Sequence, residues 1–210
     1  MNLKIAIIDY KMSNLFSIQN ALNSLGFDTV ITSEAKKILN CDGAVLPGVG
    51  SFPTALENLK NLRLDKTISK FVSSGRPFMG ICLGMQLLFE QSEEFEITQG
   101  LGLIEGSTRK FKNHPSINTI PHLGWNSVKI IQGRDIKNDP TKDISDGDFF
   151  YFIHSLYVEP KNKSDVKTLT THDGFEFCSS IIRENIYASQ FHPEKSGNKG
   201  LTILKNFFTL

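Results

Sequence analysis

Residues 76–89, Arg-Pro-Phe-Met-Gly-Ile-Cys-Leu-Gly-Met-Gln-Leu-Leu-Phe, constrain the fold more than any other stretch of the chain. A short apolar run leads into helix-forming residues, and Cys82 is flanked two positions to either side by Gly80 and Gly84. Glycine on both sides leaves room for a sharp strand-to-helix turn that lifts a reactive side chain clear of a sheet, the thiol counterpart of a nucleophile elbow. Amides at the start of the following helix favour a thiolate. The competing reading makes Cys82 a small buried hydrophobe, the usual fate of a free cysteine.

The chain upstream of the elbow supplies a sheet for it to stand on. Lys4 to Asp9 is nearly all apolar, as expected of a strand covered on both faces. Leu15, Ile18, Leu22 and Leu25 then recur at helical spacing and Gly26 stops that helix. Phe27 to Thr32 and Gly43 to Leu46 read as the next two strands. The rhythm predicts a doubly wound α/β fold, a mostly parallel sheet with helices on both faces. After the third strand comes Pro47-Gly48-Val49-Gly50, a loop where backbone can approach a ligand closely. It is no dinucleotide fingerprint, because Pro53 stands where a third glycine belongs. Thr54 to Ser73 is helical with a break near Arg63 to Asp65.

The second half reads as successive strands: Trp125 to Ile131, Asp148 to Ile153, Val166 to Thr171, Phe175 to Ile182 and Ile186 to Phe191, adding antiparallel strands to the sheet. Glu90 to Glu96 reads as a solvated acidic helix end, Leu101 to Gly106 as a short strand, Arg109 to Ile120 as loop, Gln132 to Gly147 as a mobile surface insert, and Gly200 to Phe208 as a closing helix.

At 210 residues one domain spanning 1–210 is expected. The 23 basic and 22 acidic residues leave a net charge of +1 with no long run of either sign, so neither nucleic acid nor a membrane surface is called for as partner. The apolar start is too short for a signal peptide, and no window approaches a membrane span. Three scattered cysteines, Cys41, Cys82 and Cys178, point to the reducing cytoplasm and away from disulfides or a metal site; no cofactor is expected.

A nucleophilic thiol needs a base and a group to orient that base. Of five histidines, His192 stands out in Gln190-Phe191-His192-Pro193-Glu194 at the end of an apolar strand. A separation of two in extended chain places His192 and Glu194 on one face, so Glu194 can hold one ring nitrogen while the other faces a thiol. Elbow cysteine, glycine loop and His-x-Glu together supply nucleophile, oxyanion donor and oriented base for acyl transfer.

These residues resemble the class I glutamine amidotransferases. Leu46 to Phe52, Gly80 to Gln86, Pro121-His122-Leu123-Gly124-Trp125-Asn126, Phe152 to Ser155 and Gln190 to Ser196 carry a resemblance running almost end to end, narrowed to glutaminase subunits that feed a (β/α)8-barrel cyclase. The resemblance implies that fold, L-glutamine as substrate, Cys82 as nucleophile, His192 as base and acid, and Glu194 as orienter. It implies oxyanion donors at Leu83 and, after a loop rearrangement, at Val49 or Gly50. Gln86, Glu94, His154 and Ser155 then hold glutamine, with Pro121, His122 and Trp125 at the subunit interface. Two departures stand out. Lys11 and Ser13 occupy positions where the family has glycine, so a different or less strained turn is expected there. The aromatic after His154-Ser155 is displaced by one, to Tyr157. A different barrel-type acceptor, in amidino-sugar synthesis, a stand-alone cysteine hydrolase and an interaction subunit with a vestigial site are the rival readings.

Overall fold

The computed structural model describes residues 3–12, 14–111, 114–131 and 139–209. The first half alternates as expected: β1 (Lys4–Ile8), α1 (Leu15–Ser24), β2 (Asp28–Thr32), a short α2 (Ala35–Leu39), β3 (Gly43–Leu46), α3 (Phe52–Asn61), α4 (Leu64–Val72), β4 (Phe78–Ile81) and α5 (Leu83–Leu87). The helical segment breaks at Arg63, whose φ of 55° ends one helix and begins the next.

From residue 89 onward strands dominate. They are β5 (Phe89–Ser92), β6 (Thr98–Gln99), β7 (Ile104–Lys110), β8 (His122–Ser127), β9 (Lys129–Ile130), β10 (Phe149–His154), β11 (Leu156–Pro160), β12 (Val166–His172), β13 (Phe175–Arg183) and β14 (Ile186–Ser189), and α6 (Gly197–Phe208) closes the chain. The main sheet runs β2-β1-β3-β4-β14-β13-β11-β7-β5-β6, with β12 branching from β13 and β9 pairing with β12, while β8 and β10 form a separate two-stranded antiparallel sheet. From β2 to β14 neighbouring strands are parallel; β14–β13, β13–β11 and β11–β7 are antiparallel.

Strand alternation explains the apolar run in β1. Ala6 and Ile8 face one core, with Ala44, Leu46, Phe52, Leu59 and Phe71. Ile5 and Ile7 face the other, with Val45, Met79, Ile81 and Leu204. A strand buried on both faces has no polar positions to spare, and each such side chain contributes about 1.5–3 kcal/mol on burial.

Several expectations are corrected. Residues 89–92 are strand, not helix end, because their backbone pairs with β7 and β6. β7 extends to Lys110, into the stretch read as loop, and β8 starts at His122 rather than Trp125. β11 has no counterpart among the expected strands. The insert at 132–147 lies partly outside the described residues; in its described part Thr141 and Ile144 are buried and Asp139 pairs with Lys167, so that part is anchored rather than mobile. The turn at Lys11 has a left-handed backbone, φ 70°, braced by the Lys11 amide donating to Asp9 Oδ1 at 2.9 Å, so it is not the less strained turn expected there. Ser13 lies outside the described residues. Among the described residues no helix is long and apolar enough to cross a membrane.

Candidate active site

β3, β4 and β14 are adjacent parallel strands, so their carboxyl ends open at one place on the sheet edge. Each of the three leads into a segment already marked by its sequence: β3 into the Pro47–Gly50 loop, β4 into Cys82, and β14 into the stretch that carries His192. Cys82 sits at φ 56° and ψ −112°, a backbone region costing about 1–3 kcal/mol for a residue with a side chain. Its amide donates to Ser189 O at 2.8 Å, which pins the elbow to β14. A Cβ on Gly84 would fall 1.8 Å from Leu46 O, so α5 can leave the elbow only with glycine there. α5 has five residues, so its dipole is that of barely more than one turn.

Cys82 is 6% exposed. As a thiol it donates toward Ile153 O at 3.8 Å, and its sulfur accepts from Gln190 Nε2 at 3.6 Å. Gln86 Nε2 in turn donates to Gln190 Oε1 at 2.9 Å. Gln190 is a site residue that sequence reasoning passes over, although it adjoins the His192 motif.

His192 Nδ1 bonds Glu194 Oε1 at 2.8 Å, and both side chains are buried. They meet through a 3₁₀ turn at Pro193–Lys195 and not along an extended strand; the turn brings the carboxylate back under the ring. His192 Nε2 makes no aligned hydrogen bond, yet the Cys82 sulfur is close enough to act on the ring as acceptor and as charge. Burial favours the neutral ring, but Cys82 and then Glu194 outweigh it and raise the His192 pKa. Cys82 and Glu194 flank the ring from its two nitrogens, and both favour its protonated form.

Cys82, Leu83, Val49, Gly50, Gln86, Glu94, Pro121, His154 and Ser155 all line one cavity of about 320 Å³. Glu94 Oε2 accepts from the Phe52 amide at the start of α3, 2.5 Å. Burial raises the Glu94 pKa against the lowering influence of that amide and of the Lys110 charge. Its neighbour Glu93 is no free solvated charge, since it pairs with Arg109. In the glycine loop, Val49 N–H donates to Met12 O at 3.0 Å, so this amide points at the neighbouring turn and not into the cavity. Gly50 holds φ +104°, open to glycine and strained for anything else. That Met12 holds the loop is a backbone contact with no sequence signal.

The structure separates the three residues expected at the interface. Trp125 is 56% exposed and Pro121 is exposed, but His122 is 4% exposed and its ring points inward. It belongs to a hydrogen-bonded chain. His154 Nδ1 faces Leu156 O at 2.6 Å and must donate, leaving Nε2 as acceptor for His122 Nδ1 at 2.9 Å. His122 Nε2 then accepts from Asn126 Nδ2 at 3.1 Å, and Asn126 also donates to Thr171 O. His172, whose ring centroid is 4.3 Å away, stacks on His122, with Asp173 beside it. Every hydrogen in the chain is fixed with both rings neutral, and a proton added to either sets donor against donor. Burial, then the His172 charge, lower the His122 pKa from 6.5 to about 4, with Asp173 opposing; burial likewise lowers that of His154. Between about pH 6.5 and about pH 4 the unfolded chain therefore binds protons that the folded chain refuses, and stability falls as pH falls. A thermal melt series should show the midpoint dropping across that window. His122→Phe, which keeps a ring against Phe152, should start lower at neutral pH but lose less on acidification; an equally steep fall in the variant would refute the assignment.

Comparison with known proteins gives this arrangement a class. The chain belongs to the class-I glutamine amidotransferase family, whose family model matches residues 6–210. Within that class it is 47% identical over 204 residues to the imidazole glycerol phosphate synthase subunit HisH of Caldanaerobacter subterraneus subsp. tengcongensis, covering 97% of this chain and 96% of that one. It is also 47% identical over 207 residues to the subunit HisH of Methanocaldococcus jannaschii, covering 98% and 99%. Among solved structures, PurLQS from Thermotoga maritima superposes with a TM-score of 0.73 at 17% identity, over 99% of this chain and 98% of that one, which bears on the fold alone.

Proposed function

We propose that the chain is the glutaminase subunit of an imidazole glycerol phosphate synthase, a single cytoplasmic domain over residues 1–210 that hydrolyses L-glutamine and hands ammonia to a (β/α)8-barrel cyclase. Cys82 thiolate attacks the side-chain carbonyl carbon of glutamine. His192 gives its proton to the departing nitrogen, which leaves as ammonia, and a glutamyl thioester remains. Water, deprotonated by His192, attacks the thioester; glutamate leaves and the thiolate is restored. Glu194 keeps the imidazole in register and balances its charge. The ammonia enters the imidazole ring in the partner, with release of an aminoimidazole carboxamide ribotide.

The observation that carries the pairing with a second subunit is Ile153. Its carbonyl touches the Cys82 thiol, while its side chain is 42% exposed beside Leu123, Trp125 and Phe149 on one face of the β8–β10 pair. An apolar face continuous with the nucleophile fits a subunit interface through which ammonia is delivered. The Val49 amide engaged by Met12 supports a resting state short of one oxyanion donor, and such a donor is worth about 2.7–4 kcal/mol in the transition state. Docking that turns the Val49 amide inward ties hydrolysis to a loaded partner. The test mixes the chain with the barrel cyclase of the same organism and its acceptor ligand. Imidazole glycerol phosphate should form from glutamine, with glutaminase activity rising by about 10²–10³-fold over the isolated chain. Product formed only from added ammonium salt would refute the reading.

A further inference from the structure

Free glutamine carries an ammonium and a carboxylate on the same carbon. Glu94 suits the ammonium, but none of the residues named so far as holding glutamine brings a positive charge to the carboxylate. A recess of about 170 Å³ adjoins the cavity, sharing Glu94, Ser155 and Leu156 with it and bounded further by Lys110 and Ile120. Lys110 is the direct partner of Leu156 across the β7–β11 pair, so strand register sets it at the end of the cavity that Glu94 marks. Its neighbour Arg109 is committed to Glu93 and Glu159. The Lys110 side chain makes no hydrogen bond and no ion pair among the described residues, although its charge is felt at Glu94. A carboxylate and an uncommitted ammonium thus stand side by side, the charge complement of an amino acid's α-carbon.

We propose that Lys110 binds the α-carboxylate of the glutamine substrate, so that the site selects a free amino acid over amides and peptides carrying the same side chain. This rests on the glutaminase reading and adds a residue to it. A charge-assisted hydrogen bond to a point cation supplies affinity without touching the reacting atoms, so its loss falls on KM and not on kcat.

The experiment compares L-glutamine with L-glutamine α-amide, which lacks the carboxylate, in the assembled complex. Lys110→Gln should raise KM for glutamine about 10- to 100-fold and lower the preference for glutamine over the α-amide by the same factor, and Lys110→Arg should restore most of it. Equal losses on both substrates, or no change in either, would overturn the proposal. Titration calorimetry of L-glutamine into Cys82→Ala and Cys82→Ala/Lys110→Gln complexes reads the same contact without turnover. Glutamine that binds through Lys110 but is never hydrolysed would count against the glutaminase reading alone, whereas hydrolysis indifferent to Lys110 would count against this inference alone.

Discussion

Cys82→Ala should abolish glutamine hydrolysis, by at least about 10⁴-fold in kcat, while leaving the fold and the use of free ammonia by the assembled complex intact. The size follows from the chemistry: without the sulfur there is no thioester, and His192 and the cavity can at best position water. The survival of the fold follows from packing. Among the described residues the sulfur's contacts to Ile153 O and Gln190 Nε2 are long and weak, its influence on His192 bears on the chemistry, and alanine fits a site where cysteine already sits. Alanine also removes the sulfur that favours the protonated form of His192, whose pKa should fall. Ammonia-dependent synthesis is the control that separates a dead nucleophile from a broken complex. If Cys82→Ala retains glutaminase activity, Cys82 is not the nucleophile.

Gly84→Ala should be at least as damaging, by a different route. The added methyl would lie 1.8 Å from Leu46 O and 2.8 Å from Leu46 C, both backbone atoms of β3, so no rotamer change can relieve the overlap. Either α5 lifts off the sheet or β3 moves away from β4, and both dismantle the elbow. A cost of about 3–5 kcal/mol is expected, a large share of the roughly 5–15 kcal/mol that holds a typical domain. Denaturant unfolding should show the midpoint sharply reduced, or the variant should fail to accumulate. Gly26→Ala gives the contrast. Gly26 has a positive φ, +87°, which Gly84 does not, but a Cβ there meets nothing within 4 Å, so only the backbone preference of about 1 kcal/mol is lost. Matching midpoints for the two variants would show that the close approach at Leu46 is not what Gly84 is for.

The parts of this site that are legible from sequence are those whose chemistry is local. Glycine two residues either side of Cys82 announces a tight elbow because no other residue leaves that space. The Pro47–Gly50 loop is visible because a glycine pair comes after an apolar strand. His192 and Glu194 are visible for a reason that holds only in part, since spacing in extended chain suggests a shared face and a 3₁₀ turn provides the contact. The hidden parts depend on distant backbone. β5 follows α5 with polar residues that read as a helix end, and becomes strand only through pairing with β7 and β6. β11 carries Pro160 and is separated from β10 by Ser155 alone, so nothing local marks it as a strand in a different sheet. His122 reads like its exposed neighbours in Pro121 to Trp125, and only the register that faces it with His154 shows that it points inward. Lys110 is one lysine among many until β7 and β11 pair and set it beside Glu94.

Cys82 as the single activated thiol is the claim on which the account stands, and a glutamine-like electrophile tests it directly. The assembled complex is treated with 6-diazo-5-oxo-L-norleucine, with and without excess L-glutamine, and the labelled peptide is read by mass spectrometry. Cys41 and Cys178 are buried like Cys82, but burial raises the pKa of both thiols, and neither lines the cavity. The account predicts one adduct per chain, on Cys82, suppressed by glutamine and lost in His192→Ala. Labelling of Cys41 or Cys178 at a comparable rate, or labelling of Cys82 that glutamine does not suppress, would contradict it.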